Sequence, residues 1–276
     1  MHSSIKAEGC ADEVCATRQS QSETARERLL SLPGEPLFIA DWLRTLMLHY
    51  EVDPAELQRV VPFPLDLNDG RAFVSAVAFT LSGMRPRFCG PIAKWLLKPI
   101  STHDFLNVRT YVRVNGEAGI YFLAEWLSNR LSVALGPLAF GLPYRFGRIG
   151  YHHERKFAAA NDSCPLTGRV EDPNTGNAFA YAASLPSDPH FRQCEHASLT
   201  EWLMERYTAF TNFGNIRRFF RVWHRPWLQA PATACVTEQA LLDRNWPLFH
   251  NARIVGANFS PGLTNIWMGW PHRVSA

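Results

Sequence analysis

Lysine is the scarcest charged residue in this chain. Only Lys6, Lys94, Lys98 and Lys156 occur in 276 residues. Almost all positive charge is therefore arginine, which keeps its proton and can grip a carboxylate at two points but cannot act as an amine nucleophile. The six cysteines, at 10, 15, 89, 164, 194 and 235, show no C-x-x-C spacing. That favours free thiols in a reducing cytoplasm over a zinc site or a disulfide framework. No apolar run approaches the roughly 20 residues of a membrane-spanning helix, and the N-terminal segment lacks the apolar core of a secretion signal. Neither a G-x-S-x-G elbow nor a phosphate-cradling glycine loop is present, which removes the simplest serine-hydrolase and nucleotide readings. A net charge of +3 is too small to announce a nucleic-acid partner. A cytoplasmic protein with no cofactor, no metal, no nucleic-acid partner and no membrane insertion is expected; a homo-oligomer stays open.

What is present points to short strands with few helices. Residues 1–34 read as a disordered extension with a short helix near Glu23–Leu30, and 35–276 as one domain. Asp53, Pro54 and Glu56 form an N-cap, a first-turn proline and a capping carboxylate for a helix through Val60. Asn68-Asp69-Gly70 is a turn, and Arg71–Leu81 is strand-like. "FLNVRTYVRVNGEAGIYFLAEWL" is a hairpin turning at Asn115-Gly116. Its first strand alternates: Leu106, Val108, Thr110 and Val112 on one face, Asn107, Arg109, Tyr111 and Arg113 on the other. Strict alternation on the second strand puts Tyr121, Leu123 and Glu125 together, opposite Ile120, Phe122, Ala124 and Trp126. The polar face is either solvent-exposed or the wall of a pocket inside a barrel. A short helix over 129–135 should stop before Gly136-Pro137, and a second hairpin turns at 172–176. "SLTEWLMERYTAFT" reads as the clearest helix, with a Ser198/Glu201 capping box. "TEQALLDRN" reads as another, begun by Thr237, and "ARIVGANFS" and "LTNIWMGW" as closing strands. The class is α+β, mainly antiparallel.

Several pieces in fixed order resemble the bacterial YqjF-like proteins, a family of unknown function, from about Asp41 to the C-terminus. They are "HYEVDPAELQRVVP", "DGRAFVSAVAF", "FLNVRTYV", "GIYFLAEWLSNRLSVAL", "GLPYRFGRI" and "SLTEWLMERY". The resemblance implies an acetoacetate-decarboxylase-like fold, a double-layered β-barrel around a central cavity with peripheral helices. In those decarboxylases a Gly-aromatic-Pro-Lys-Lys motif carries a nucleophilic lysine whose pKa is lowered by its neighbour. The corresponding stretch here is Gly141-Leu142-Pro143-Tyr144-Arg145, with Tyr144 at the nucleophile's place and Arg145 at its companion's. Tyrosine forms no imine, so the resemblance implies the fold without Schiff-base decarboxylation.

The expected ligand is a small molecule with a carboxylate or a carbonyl. Tyr144 and Glu125 are the candidates for moving a proton; Arg145, Arg109, Tyr111 and Asn107 are the candidates for binding. The activity is that of a lyase or hydrolase without an imine, or that of a non-catalytic sensor or carrier with the same pocket. A third reading takes the arginine–aromatic run at 217–225 as a nucleic-acid or membrane surface. His152-His153-Glu154 lacks metal-ligand spacing and reads as structural, as does His49; His224 is either packing or pocket wall.

Overall fold

The structure is a computed structural model and describes residues 20–88, 95, 97–153, 165–214 and 216–274. In chain order the elements are α1 (Ser20–Leu30), β1 (Phe38–Val52), α2 (Pro54–Val60), β2 (Ala72–Pro86), β3 (His103–Val114), β4 (Glu117–Leu127), α3 (Arg130–Phe140), β5 (Tyr144–Phe146), β6 (Arg148–His152), β7 (Leu166–Glu171), β8 (Ala178–Ser184), α4 (Leu199–Met204), β9 (Thr208–Phe213), β10 (Ile216–Trp223), β11 (Ala230–Glu238), α5 (Ala240–Asn245), β12 (Arg253–Met268) and β13 (His272–Arg273).

Strand pairing runs β10-β9-β4-β3-β2-β1-β12. It then returns to its start, because β12 also bonds β10 at Val222↔Met268 and Trp223↔Trp267. Seven strands therefore close into a ring, which leaves no free edge among them. The other half of β12 continues into β11, β8, β7 and β6, a second layer laid over the outside of the ring. Alternation divides the ring residues between two cores. Leu48, Val74, Val108 and Trp126 face outward and pack with Leu166, Val170 and Phe179 of the second layer. Met47, Val77, Phe105 and Phe122 face inward and pack with Phe220, Val222 and Trp227. This is the mainly antiparallel, double-layered β-barrel with peripheral helices that the family resemblance implied.

Local chemistry explains the joints. Asp53 accepts the amide of Glu56 at 2.8 Å and starts α2. Asn115 and Gly116 both take positive φ, 50° and 80°, which is the backbone a two-residue hairpin turn needs.

Five local expectations need correction. Residues 20–34 belong to the packed body: the Ser22 hydroxyl donates to the His224 carbonyl at 2.7 Å, and Leu29 is buried. The helix after Asn129 does not stop at Gly136-Pro137 but runs to Phe140, capped by Asn129 at its start and by Gly141 in the left-handed region at its end. Pro137 is tolerated there at the cost of one intrahelical bond. The helix begun by Ser198 ends at Met204, and Thr208–Phe213 is the ring strand β9, so pairing to β4 and β10 overrides the helical pattern. Thr237 lies in β11, and the following helix begins at Ala240. The two closing strands are one, β12, bent at Pro261-Gly262, where Gly262 has φ 128° and lies against the Trp42 carbonyl.

The arginine–aromatic run at 217–225 is β10 and the residues after it. Phe220 and Val222 fill the barrel interior. Arg217 lies over Phe63 with its Cζ 5.3 Å from the ring, and Arg221 reaches Glu117 at 3.5 Å. Ring packing accounts for the interleaving.

Candidate active site

The inward face of the ring surrounds a cavity of about 60 Å³. Its wall is mostly apolar (Trp42, Phe79, Phe105, Phe122, Trp227), and its polar groups are Thr45, Asn107, Arg109, Glu125, Tyr144, Arg206, Thr208 and His224. Asn107 and Arg109 arrive by the alternation of β3. Tyr111 is on the same face, buried at the edge of this interior, its hydroxyl donating to the Leu203 carbonyl at 3.0 Å. That hydroxyl also lies 2.5 Å from Ser75 Oγ, which in turn is 2.7 Å from His49 Nδ1.

Glu125 reaches the cavity by a different device. The β3–β4 register steps from Val108↔Ala124 to Arg109↔Phe122, so Leu123 is an extra residue. This bulge reverses the alternation. Ile120 and Phe122 point inward before it and Glu125 after it, while Ala124 and Trp126 point outward. The expected grouping of Tyr121 with Glu125 is therefore corrected: Tyr121 packs on the outer core.

The polar groups inside are incompletely satisfied. Asn107 Nδ2 donates to Glu125 Oε1 at 3.2 Å. Glu125 Oε2, Asn107 Oδ1 and Arg109 Nε are buried and have no hydrogen-bond partner. Arg109 is 6% exposed; it lies 3.5 Å from the Leu203 carbonyl and 3.8 Å from Met47 Sδ, and the Tyr111 hydroxyl helps to hold its charge. Burial pushes the Glu125 carboxyl up to about 8, with the nearby Arg109 charge only partly opposing it. At neutral pH this side chain is mostly a neutral acid that can donate a proton. Burial likewise lowers the affinity of Arg109 for its proton, and it holds His49 neutral, at about 3, with Arg109 adding to the effect. An unpaired guanidinium in such a place costs several kcal/mol.

Tyr144 is half-buried in the same wall. It stands opposite Glu125 in the β4–β5 pairing, its ring edge-on to Phe105 at 5.9 Å and lying against Gly136 so closely that a Cβ there would meet the ring at 2.2 Å. Burial and the Glu125 charge raise its hydroxyl well above the ordinary phenol range, so it can donate a hydrogen bond but does not ionise.

Arg145 does not join them, which corrects its expected role. It is the next residue along a strand, and adjacent side chains point to opposite faces. Its guanidinium lies outside the ring, exposed, over Trp126 at 5.3 Å and Trp246 at 6.0 Å, and hydrogen-bonds Asn245. Arg145→Lys is expected to leave ligand affinity within about twofold and to cost about 1 kcal/mol of stability, since each exposed cation–π contact contributes about 0.5–1 kcal/mol. Calorimetric titration and thermal melts check both halves. A large loss of affinity would return Arg145 to the site.

Reasoning from the sequence missed Arg206. It follows α4, in a stretch whose pattern read as continuing helix. His153 is structural, held between the Arg44 carbonyl and Tyr181 OH at 2.8 Å each; Glu154 lies outside the described residues. Among the described residues no cluster of three or more His, Cys, Asp or Glu is placed to hold a metal ion, and no helix is long and apolar enough to cross a membrane. Lys98, the one described cationic amine side chain, sits exposed on a short turn away from the cavity wall.

Residues 39–262 match the model of the DUF2071 family, described as "Uncharacterized conserved protein". The chain belongs to this family. It is 29% identical over 250 residues to the uncharacterised protein YqjF of Bacillus subtilis (strain 168), across 87% of this chain and 98% of that one. Among solved structures it is similar to an acetoacetate decarboxylase-like enzyme from Sphingomonas wittichii RW1, with a TM-score of 0.61 at 14% identity over 88% of this chain and 94% of that one. It is also similar to the enduracididine biosynthesis enzyme MppR complexed with pyruvate, with a TM-score of 0.58 at 13% identity over 88% and 92%. Acetoacetate decarboxylase from Legionella pneumophila gives a TM-score of 0.58 at 13% identity over 99% and 98%. These likenesses establish the acetoacetate-decarboxylase-like fold of this DUF2071 member.

Proposed function

We propose that this DUF2071 protein binds a short organic acid in the barrel cavity, with the carboxylate on Arg109 and a carbonyl or hydroxyl group of the ligand against the protonated carboxyl of Glu125. The observation that carries this reading is Arg109, buried without a contacting carboxylate and with Nε unpartnered beside Asn107 and Glu125. The pyruvate named with MppR supports the choice of ligand size and chemistry. Tyr144 replaces the amine at the motif position, so the chemistry supported is proton transfer by Glu125, with Tyr144 as a hydrogen-bond donor, in a lyase or hydrolase reaction without an imine. Tyr111 acts behind the site, holding the Leu203 carbonyl that Arg109 also approaches.

The test is titration with pyruvate and acetoacetate, with borohydride trapping in parallel. Saturable binding that depends on Arg109, with no covalent adduct, is the expected result. No binding of either acid would overturn the reading, and so would an adduct at Lys94 or Lys156.

A further inference from the structure

Arg206 is a second buried guanidinium in the cavity wall, and its surroundings are short of negative charge. Its side chain is 5% exposed. Nε donates to the Trp202 carbonyl at 2.7 Å and Nη1 to Asp66 Oδ2 at 2.8 Å, while Nη2 is buried with no partner. Asp66 does not belong to Arg206 alone. Arg113 also grips it, Nε to Oδ1 at 3.1 Å and Nη2 to Oδ2 at 3.3 Å. One carboxylate thus serves two arginines. Glu125 is neutral at pH 7, so it offsets neither Arg109 nor Arg206. Arg109 meets no carboxylate, and Asp66 serves both Arg206 and the half-exposed Arg113, so the buried guanidinium groups outnumber their partners.

Arg206 also sits where the cavity meets the outside. Arg206 and Thr208 line both the cavity and a neighbouring open cleft of about 560 Å³ between α1, the tip of the β3–β4 hairpin and α4. The acidic groups at that end of the cleft are engaged. Glu205 accepts from the Trp227 amide at 2.8 Å and from Tyr207 OH at 2.7 Å, and Glu117 takes Thr208 Oγ1 and Arg221. Tyr111 lies between the two arginines. Its ring is 5.2 Å from Arg206 Cζ, and its hydroxyl shares the Leu203 carbonyl with Arg109. A cavity of 60 Å³ encloses the head of a small acid only, so a longer ligand must extend past Arg206.

We propose that the ligand is a short dicarboxylate, with one carboxylate on Arg109 inside the cavity and the other on Arg206 Nη2 at its mouth. This rests on the cavity reading above and adds the ligand's second charge. A planar guanidinium whose other edge is fixed by Asp66 and the Trp202 carbonyl presents its free nitrogen in a set direction, which suits a second anionic group at a set distance.

Titration calorimetry with succinate and glutarate, each against its chain-matched monoacid, butyrate and pentanoate, tests the proposal. At least one dicarboxylate should bind roughly tenfold to hundredfold tighter than its monoacid, the range of one charge-assisted hydrogen bond. Arg206→Gln should erase that preference, whereas Arg109→Gln should weaken both classes. Arg206→Lys keeps a charge for Asp66 but has no second arm, so it should lose the preference too; it decides the matter if Arg206→Gln does not fold. Monoacids that bind through Arg109 with no dicarboxylate preference would overturn this proposal and leave the cavity reading standing. A preference that survives both Arg206 variants would overturn it as well. Failure of all four acids to bind would overturn this proposal, while the cavity reading stands or falls with the pyruvate and acetoacetate titrations.

Discussion

Arg109→Met should all but abolish pyruvate binding and, in the same protein, raise the melting temperature. The two effects have one cause. Arg109 is buried, touches no carboxylate and leaves Nε unpartnered. Its charge is a net cost to the free fold, several kcal/mol before relaxation and partial hydration reduce it. Methionine fills much of the same volume without that cost, so a gain of about 1–4 kcal/mol is expected by comparison with buried ionic groups replaced by apolar ones. A chain of this size shifts by about 2–4 °C for each kcal/mol. Binding moves the other way. Losing the charged partner of a desolvated carboxylate costs about 2–5 kcal/mol, or roughly thirtyfold to several-thousandfold in Kd. Calorimetry and thermal melts on the same preparation measure both. A variant that melts lower and still binds pyruvate would show that the guanidinium serves the fold through Leu203 and Met47, and the cavity reading would lose its main support.

The parts of this site that were legible in the sequence are those set by local backbone rules. Asn115-Gly116 fixes the hairpin turn, and the turn fixes the register of β3, so Asn107, Arg109 and Tyr111 fall on one face by counting in twos. The same counting fails on β4, where Leu123 is an extra residue. Nothing in "IYFLAEWL" marks the bulge, yet the bulge is what turns Glu125 inward. Tyr144 and Arg145 illustrate the converse. Their adjacency in a strand already separates their faces, and only grouping them by motif made them partners. Arg206 was illegible for another reason. Its meaning depends on Asp66, 140 residues away, and on a ring closure that turns an apparently helical run into strand β9. Long-range pairing leaves no local pattern to read, and the polar groups at the mouth of the cavity depend on it. The barrel itself was legible mainly through family resemblance. Short alternating strands specify an antiparallel sheet, but the β10–β12 contact that closes the ring is two residue pairs long.

Between pH 6.5 and 8.5 the native protein should lose about 2 kcal/mol of stability relative to Glu125→Gln. The Glu125 carboxyl sits at about 8 when folded against an ordinary 4.5, because burial penalises its charged form. The folded chain therefore holds a proton that the unfolded chain has already released. Stability from a raised acid is complete below the unfolded value and drains away as pH rises through the folded one. The drain begins near the unfolded value, and integrating its upper part across these two pH units with a folded value near 8 gives the 2 kcal/mol, or about 4–8 °C in melting temperature. The buried histidines act in the opposite direction. His49, His103 and His153 are lowered to about 3, 4 and 4 by burial, and His224 is lowered too. Unfolded histidines release their last protons just above 6.5, so these four add stability across the lower part of the window, equally in the native protein and in the variant, and the difference between the two isolates Glu125. Glutamine keeps the size of the side chain and a hydrogen-bonding group for Asn107 while staying neutral at every pH. Its melting temperature should therefore lack the fall that Glu125 imposes above neutrality. The same titration reaches the ligand: once Glu125 ionises beside Arg109, it competes with a bound carboxylate for that charge. Pyruvate affinity should fall above pH 8 in the native protein and hold in the variant. A native protein that loses no stability relative to Glu125→Gln between pH 6.5 and 8.5 would mean that Glu125 is ionised in the free fold, already paired with Arg109 and unable to act as the acid of the site.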